Sequence, residues 1–347
     1  MSALSPRNGL RQARRAVSWI YPSSARPAAP WEAHRAPADY GVPASPDWRE
    51  THWGPLVKTI DIGGAELTYA DLGEGDGSPI LFVHGLGGNW QNWLECLPRA
   101  AQERRAIAVD LPGFGNSPMP DEDISISLYA RTIDHLLEAL GIDSVVYVGN
   151  SMGGFIGAEL AIHHPARVER LVLGSAAGIS STTRARRPTV TMFRVSGIMS
   201  SAALARSRDV VARPRLRHAA LSAVMRHPSH MRHDILLEIM PGSNAPGFMP
   251  ALNALLAYDF TNRLGEIRCP TLLIWGREDM LVPVADADEY ERLIEGSRKV
   301  IFDETGHVPM LERPQAFNDC LMEFVGEGPK AAAHERPAQR SPEVASA

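Results

Sequence analysis

Short runs of apolar, often β-branched residues alternate along this chain with longer stretches in which apolar residues recur at helical spacing. Runs of the first kind fall at 57–62, 66–70, 80–83, 106–109, 145–148, 171–173, 271–275 and 299–302, which makes eight strands. Most are apolar from end to end, the pattern of a strand buried on both faces of its sheet. The first two flank Gly63 and Gly64 and predict an opening hairpin. Apolar residues at i, i+3, i+4 and i+7 over 124–140, 152–164, 285–295 and 315–325 predict helices with one face against that sheet. Strands alternating with helices in this way imply an α/β protein, a mostly parallel sheet covered on both faces.

Three stretches break the alternation. Residues 178–261 hold no convincing strand; helical spacing recurs at 192–205, 215–226, 233–240 and 249–258, so the interval reads as a helical insertion lying over the sheet. Residues 1–50 are rich in Pro, Ala, Ser and Arg and carry no acid before Glu32, which predicts a leader with little packed structure. A short basic amphipathic helix over 9–21 is the exception, with a disordered leader as the plainer reading. Residues 326–347 repeat the Pro, Ala, Gly and charge mixture without periodicity and read as a tail. The core is thereby assigned to 51–177 and 262–325, with 178–261 inserted between them.

Composition narrows the class of protein. With 347 residues, 44% hydrophobic, 22% charged and a net charge of −5, the chain has the profile of a globular protein whose core needs no metal or disulfide staple. Cys96, Cys269 and Cys320 are odd in number and far apart, with no C-x-x-C or Cys/His spacing, so neither a disulfide framework nor a metal site is read and a reducing compartment follows. No run approaches the roughly 18 apolar residues of a membrane span, and the apolar run at 16–21 is shorter than a signal-peptide core. These features predict a cytoplasmic protein.

The chemistry gathers after strand ends. Gly149-Asn150-Ser151-Met152-Gly153 follows the strand at 145–148 and opens the next helix, which is G-x-S-x-G in its strand-turn-helix setting. Glycines let the turn be sharp enough to present the Ser151 hydroxyl at a helix N-terminus, where amides and the helix dipole favour negative charge. His84-Gly85-Leu86-Gly87-Gly88 follows the strand at 80–83; a glycine-rich turn there brings backbone amides close to a substrate. The amides of Leu86 and Met152 are the two oxyanion donors predicted. The loop lacks G-x-G-x-x-G and Walker spacing, which argues against nucleotide binding, and His84 is read as holding the loop. A nucleophilic serine needs a base and an orienting acid. His307 follows the last strand in Gly306-His307-Val308-Pro309, and Asp279 follows the strand at 271–275, with Glu278 as the rival acid. Loops after the carboxyl ends of parallel strands share one edge, so Ser151, Asp279 and His307 are able to converge there.

In this set of motifs the chain resembles the α/β-hydrolase family over residues 56–325, and Asp110-Leu111-Pro112-Gly113-Phe114-Gly115-Asn116-Ser117 is similar to the family's D-x-P-G-x-G-x-S segment. The resemblance implies an α/β-hydrolase fold and a cofactor-free serine hydrolase. In it His307 takes the Ser151 proton, Asp279 stabilises the imidazolium, Leu86 and Met152 hold the oxyanion, and water releases the acyl group. It also implies that the insertion is a cap that selects the substrate. Serine at the elbow argues against the family's dehalogenases and epoxide hydrolases, which use aspartate there. The elbow also resembles that of carbon–carbon bond hydrolases, but Val308 and Leu86 stand where that group has a tryptophan and a Gly-Ser-Gly-type turn. The reading is a serine esterase or lipase acting on a small or medium apolar ester, lipid-like substrates included. Carbon–carbon hydrolysis, acyl transfer and a non-catalytic binding protein on the same fold are the alternatives.

Charge in the insertion is lopsided. Between 180 and 233, Arg184, Arg186, Arg187, Arg194, Arg206, Arg208, Arg213, Arg215, Arg217, Arg226 and Arg232 are opposed by Asp209 alone. This is either a solvated helical surface or a surface that steers an anionic substrate or contacts an anionic membrane. Aromatic residues do not interleave with the arginines, and no nucleic-acid motif is present.

Overall fold

The computed structural model describes residues 27–180, 208–240 and 245–327, so the helices predicted at 9–21 and 192–205 and the tail beyond 327 lie outside the described residues. The strands are β1 (Val57–Asp61), β2 (Glu66–Leu72), β3 (Ile80–Val83), β4 (Ala106–Val109), β5 (Val145–Asn150), β6 (Val168–Gly174), β7 (Thr271–Gly276) and β8 (Arg298–Phe302). They form one eight-stranded sheet in the order β1-β2-β4-β3-β5-β6-β7-β8. β2 is antiparallel to both β1 and β4, and every other pairing is parallel. The helices are α1 (Leu97–Ala100), α2 (Ile126–Ala139), α3 (Met152–His163), α4 (Arg208–Ala212), α5 (Pro214–Leu221), α6 (His233–Ile239), α7 (Phe248–Ala257), α8 (Val284–Leu293), α9 (Pro309–Glu312) and α10 (Pro314–Gly326).

Side chains alternate across a strand, and the two sets separate cleanly here. Leu81, Val83, Ile107, Val109, Val145 and Tyr147 face α2, α3, α7 and α8. Ile80, Phe82, Ala106, Ala108, Val146 and Val148 face α1, α4, α5, α6, α9 and α10. Each large apolar side chain removed from water in this way contributes about 1.5–3 kcal/mol. α3 shows the pattern in its extreme form: every residue from Met152 to Ile162 is buried, so the helix that carries the elbow is held on all sides. The Ser125 hydroxyl caps α2 by accepting the Leu128 amide at 3.0 Å.

The segment from 27 to 50 departs from the expectation of a weakly ordered leader. Tyr40, Ala44 and Trp48 are buried, and Glu95 accepts both the Ala44 amide at 2.9 Å and the Trp48 indole N–H at 3.1 Å. The Ala28 carbonyl meets the His218 ring at 2.7 Å. These anchors stand singly among Pro and Ser and fill sites that other elements supply, so they leave no period along the chain. Between β6 and β7 the described residues form helices and no strand. Among the described residues no helix is long and apolar enough to cross a membrane.

Candidate active site

β3 pairs with β4 on one side and β5 on the other, so the chain reverses its winding at β3. A crevice opens outside the carboxyl ends of strands at such a switch point, and both β3 and β5 deliver their loops into it. Ser151 follows β5 directly and adopts φ 55°, ψ −116°, a left-handed backbone that a side chain-bearing residue takes only under constraint. The constraint is visible: its amide donates to the Gly174 carbonyl at 2.9 Å, while its carbonyl accepts from Phe155 and Ala177 at 3.1 and 3.0 Å. A Cβ on Gly153 would overlap the Val83 carbonyl oxygen and lie 2.7 Å from that of His84, so glycine is what lets the first turn of α3 sit against β3. Met152 opens α3, and the amide of a first helical residue has no partner within its helix.

The opposing turn is built by His84. The Gly88 amide closes a four-residue turn on the Gly85 carbonyl at 3.0 Å, and Gly87 supplies the positive φ of 74°. Leu86 occupies the position whose amide takes no part in the turn's own bond. His84 Nε2 accepts the Leu111 amide at 3.1 Å, which places the ring proton on Nδ1 and its donation on the Gly85 carbonyl at 2.7 Å. Burial pushes this imidazole down to about 4, so it stays neutral. The next segment is anchored by Asp110, whose oxygens accept the Trp90 and Asn116 amides at 2.7 and 2.9 Å. Burial pushes its carboxyl up to about 6.

Asp279 and His307 come together at the neighbouring strand ends. His307 Nδ1 lies 2.8 Å from Asp279 Oδ2, and both residues are buried. Asp279 Oδ1 accepts the Leu281 and Val282 amides at 2.8 and 2.9 Å, so the carboxylate is fixed before it meets the ring. A carboxylate only accepts, so Nδ1 carries the proton and Nε2 keeps its lone pair. Gly276 permits the approach: a Cβ there would overlap the Gly306 and Thr305 carbonyl oxygens. Glu278, the rival acid, is turned away and accepts the Thr305 amide at 3.0 Å. The elbow is tied to the same loop, because Asn150 Nδ2 donates to the His307 carbonyl at 3.2 Å and to the Gly174 carbonyl at 3.0 Å.

Asn150 and Glu312 were not singled out from the sequence. Asn150 occupies a variable position of G-x-S-x-G, which gives no signal. Glu312 ends the apolar run Val308-Pro309-Met310-Leu311, and an acid placed there is the one sign that it is buried for a purpose. The insertion also reaches the site: the His307 amide donates to the Val224 carbonyl at 2.8 Å, and the Gly247 amide to the Gly113 carbonyl at 2.9 Å. Of its arginines, Arg217 is buried and donates to the carbonyls of Pro228, Val211 and Ser229, and Arg226 pairs with Glu304 at 3.0 Å. Arg184, Arg186, Arg187, Arg194 and Arg206 lie outside the described residues. Among the described residues no group of three or more His, Cys, Asp or Glu side chains is placed to hold a metal ion.

Comparison with known proteins gives the same frame. A family model described as alpha/beta hydrolase fold matches residues 78–314. A relative from Escherichia coli O157:H7 whose name proposes carbamate hydrolysis is 31% identical over 249 residues, which span 71% of this chain and 91% of that one. The structure of an N-acyl homoserine lactone degrading enzyme superposes with a TM-score of 0.61 at 26% identity, covering 77% of this chain and all 100% of the other. A meta-cleavage product hydrolase from Pseudomonas fluorescens IP01 superposes with a TM-score of 0.62 at 25% identity, covering 77% and 97%.

Proposed function

Because the chain belongs to the α/β-hydrolase fold family, we propose that it is a serine hydrolase that cleaves a carboxylic ester of a small or medium apolar substrate through an acyl-enzyme on Ser151. The observation that carries this reading is the 2.8 Å bond between His307 and Asp279 at the sheet edge where Ser151 holds its left-handed turn. In the proposed cycle the Ser151 hydroxyl attacks the ester carbonyl and passes its proton to His307 Nε2. Charge developing on the carbonyl oxygen is met by the amides of Leu86 and Met152, whose positions fit that task. Protonated His307, stabilised by Asp279, gives the proton to the departing alcohol. Water, activated by His307, then releases the acid. The insertion touches His307 and Gly113, which makes it the element suited to select the substrate.

The test is hydrolysis of a series of p-nitrophenyl esters from acetyl to decanoyl. Turnover that depends on chain length and falls on the order of 10⁴-fold in Ser151→Ala, Asp279→Asn or His307→Ala is expected. Pairs of these substitutions are expected to cost little more than one, since the residues act as a unit. Wild-type turnover in Ser151→Ala would refute the assignment. The Gly-Asn-Ser-Met-Gly-Gly elbow, together with likeness to a meta-cleavage product hydrolase, supports carbon–carbon hydrolysis as the second reading. Bleaching of a yellow ring-cleavage product with no ester turnover would favour it.

A further inference from the structure

Glu312 is fully buried and sits five positions after His307 at the end of α9. Its Oε1 accepts the amides of Gly306 at 3.0 Å and Val308 at 3.2 Å. Its Oε2 accepts the Tyr40 hydroxyl at 2.5 Å and the amides of Arg226 at 2.8 Å and Gly306 at 2.9 Å. Each of these partners is a donor. The Tyr40 oxygen accepts the His227 amide at 2.8 Å, and its single hydroxyl proton is donated to Glu312. The carboxylate form accepts from all of these donors at once, since its two oxygens offer about four lone-pair sites and no competing O–H. Burial holds the Glu312 carboxyl above the usual carboxylate range, and the Tyr40 hydroxyl and the amides oppose that rise without cancelling it.

The four donors come from three stretches of chain with one residue in common reach. Gly306 and Val308 flank His307 on either side. His307 itself is held by the Val224 carbonyl through its amide and by Asn150 through its carbonyl. Arg226 belongs to the insertion, two residues from Val224, and Tyr40 to the segment before β1. The backbone that aims the imidazole at Asp279 is therefore bracketed by one buried anion, and that anion is completed by the insertion and by the amino-terminal segment.

We propose that Glu312 is a positioning residue for His307: its carboxylate, completed by Tyr40 and by the insertion at Arg226, fixes the loop on both sides of the imidazole. The proposal rests on the serine hydrolase reading given above. It assigns the amino-terminal segment and the insertion a part in ordering the site, in addition to covering it. A misplacement of about 1 Å in such a group lowers turnover on the order of a hundredfold.

The test compares full-length wild type, Glu312→Gln and Tyr40→Phe by the rate of fluorophosphonate labelling at Ser151, by kcat and KM on a p-nitrophenyl ester, and by the downfield proton resonance of His307 Nδ1. The carboxamide turns an N–H toward donors, so Glu312→Gln is expected to retain its circular dichroism, lose about a hundredfold in labelling rate and kcat with KM within about threefold, and broaden or lose the resonance. Tyr40→Phe keeps the carboxylate and removes one donor; about a tenfold loss in the same two rates is expected. A folded Glu312→Gln that labels within about twofold of wild type and keeps the resonance would overturn the proposal, as would a lower melting temperature with unchanged turnover per folded molecule. If Glu312→Gln does not fold, Tyr40→Phe decides: wild-type labelling and a wild-type resonance there would overturn it. If wild type itself is not labelled, the hydrolase reading fails, and the resonance, which needs no substrate, still tells whether Glu312 orders the ring.

Discussion

His84 and His307 are both buried imidazoles, and their hydrogen bonds give them opposite tasks. Both His84 nitrogens are engaged by backbone, Nε2 by the Leu111 amide and Nδ1 by the Gly85 carbonyl, so the ring holds its turn and has no lone pair to offer. His307 spends one nitrogen on Asp279 and keeps the other. In the sequence the two are separable only by place: one follows β3 and stands before the glycine turn, the other follows β8. The distinction has a measurable consequence. With its value held near 4 in the fold against 6.5 for the free side chain, His84 takes up a proton first in the unfolded chain. Its contribution to stability is full above about 6.5 and is lost as pH falls toward 4, on the order of 3 kcal/mol in all. Asp110, raised to about 6, works in the opposite sense and loses stability as pH rises through that value. The two overlap in the wild-type curve, so the difference between wild type and His84→Gln in urea unfolding isolates the histidine. That gap is expected to narrow on acidification from pH 7 to 4.5, and a gap independent of pH would contradict the assignment.

Elements were legible where burial is simplest. β3, β4, β5 and β7 could be read because a strand buried on both faces is a nearly unbroken apolar run, whereas β1, with Lys58, Thr59 and Asp61 exposed, was legible from the Gly63-Gly64 turn that follows it. Their ends were less so: β5 runs on through Gly149 and Asn150, and β6 begins at Val168 with the exposed Glu169 inside it, because pairing with a neighbour carries a strand past its apolar stretch. What no periodicity contains is how closely two loops approach. Gly276 closes β7, and the carbonyls of Thr305 and Gly306 stand where its Cβ would be. Gly276→Ala is therefore expected to push the Asp279 and His307 loops apart and lower kcat on the order of a hundredfold, with a smaller change in KM. Turnover equal to wild type in a folded Gly276→Ala would show that the contact is not needed. The triad candidates were legible as strand-loop positions; the Asn150 tie to His307 was not, since it joins residues 157 positions apart.

At the scale of the whole molecule the sheet supplies an edge, and segments far apart in sequence close over it. Trp48 belongs to the buried cluster on the face that carries α1, α4, α5, α6, α9 and α10, with its indole on Glu95. Trp48→Ala is expected to reduce the free energy of unfolding by about 3 kcal/mol in urea titration; a change below about 0.5 kcal/mol would mean that the segment is packed without contributing. The amino-terminal packing was illegible because each anchor lies in a sequence with no pattern and its partners belong to elements far along the chain. Ser151 is the residue on which the proposed chemistry depends. Wild type and Ser151→Ala are incubated with a fluorophosphonate and read by intact mass and peptide mapping. One adduct per wild-type chain, on the peptide containing Ser151 and absent from Ser151→Ala, is the predicted result; folded wild-type protein without an adduct, or an adduct that persists in Ser151→Ala, would contradict it.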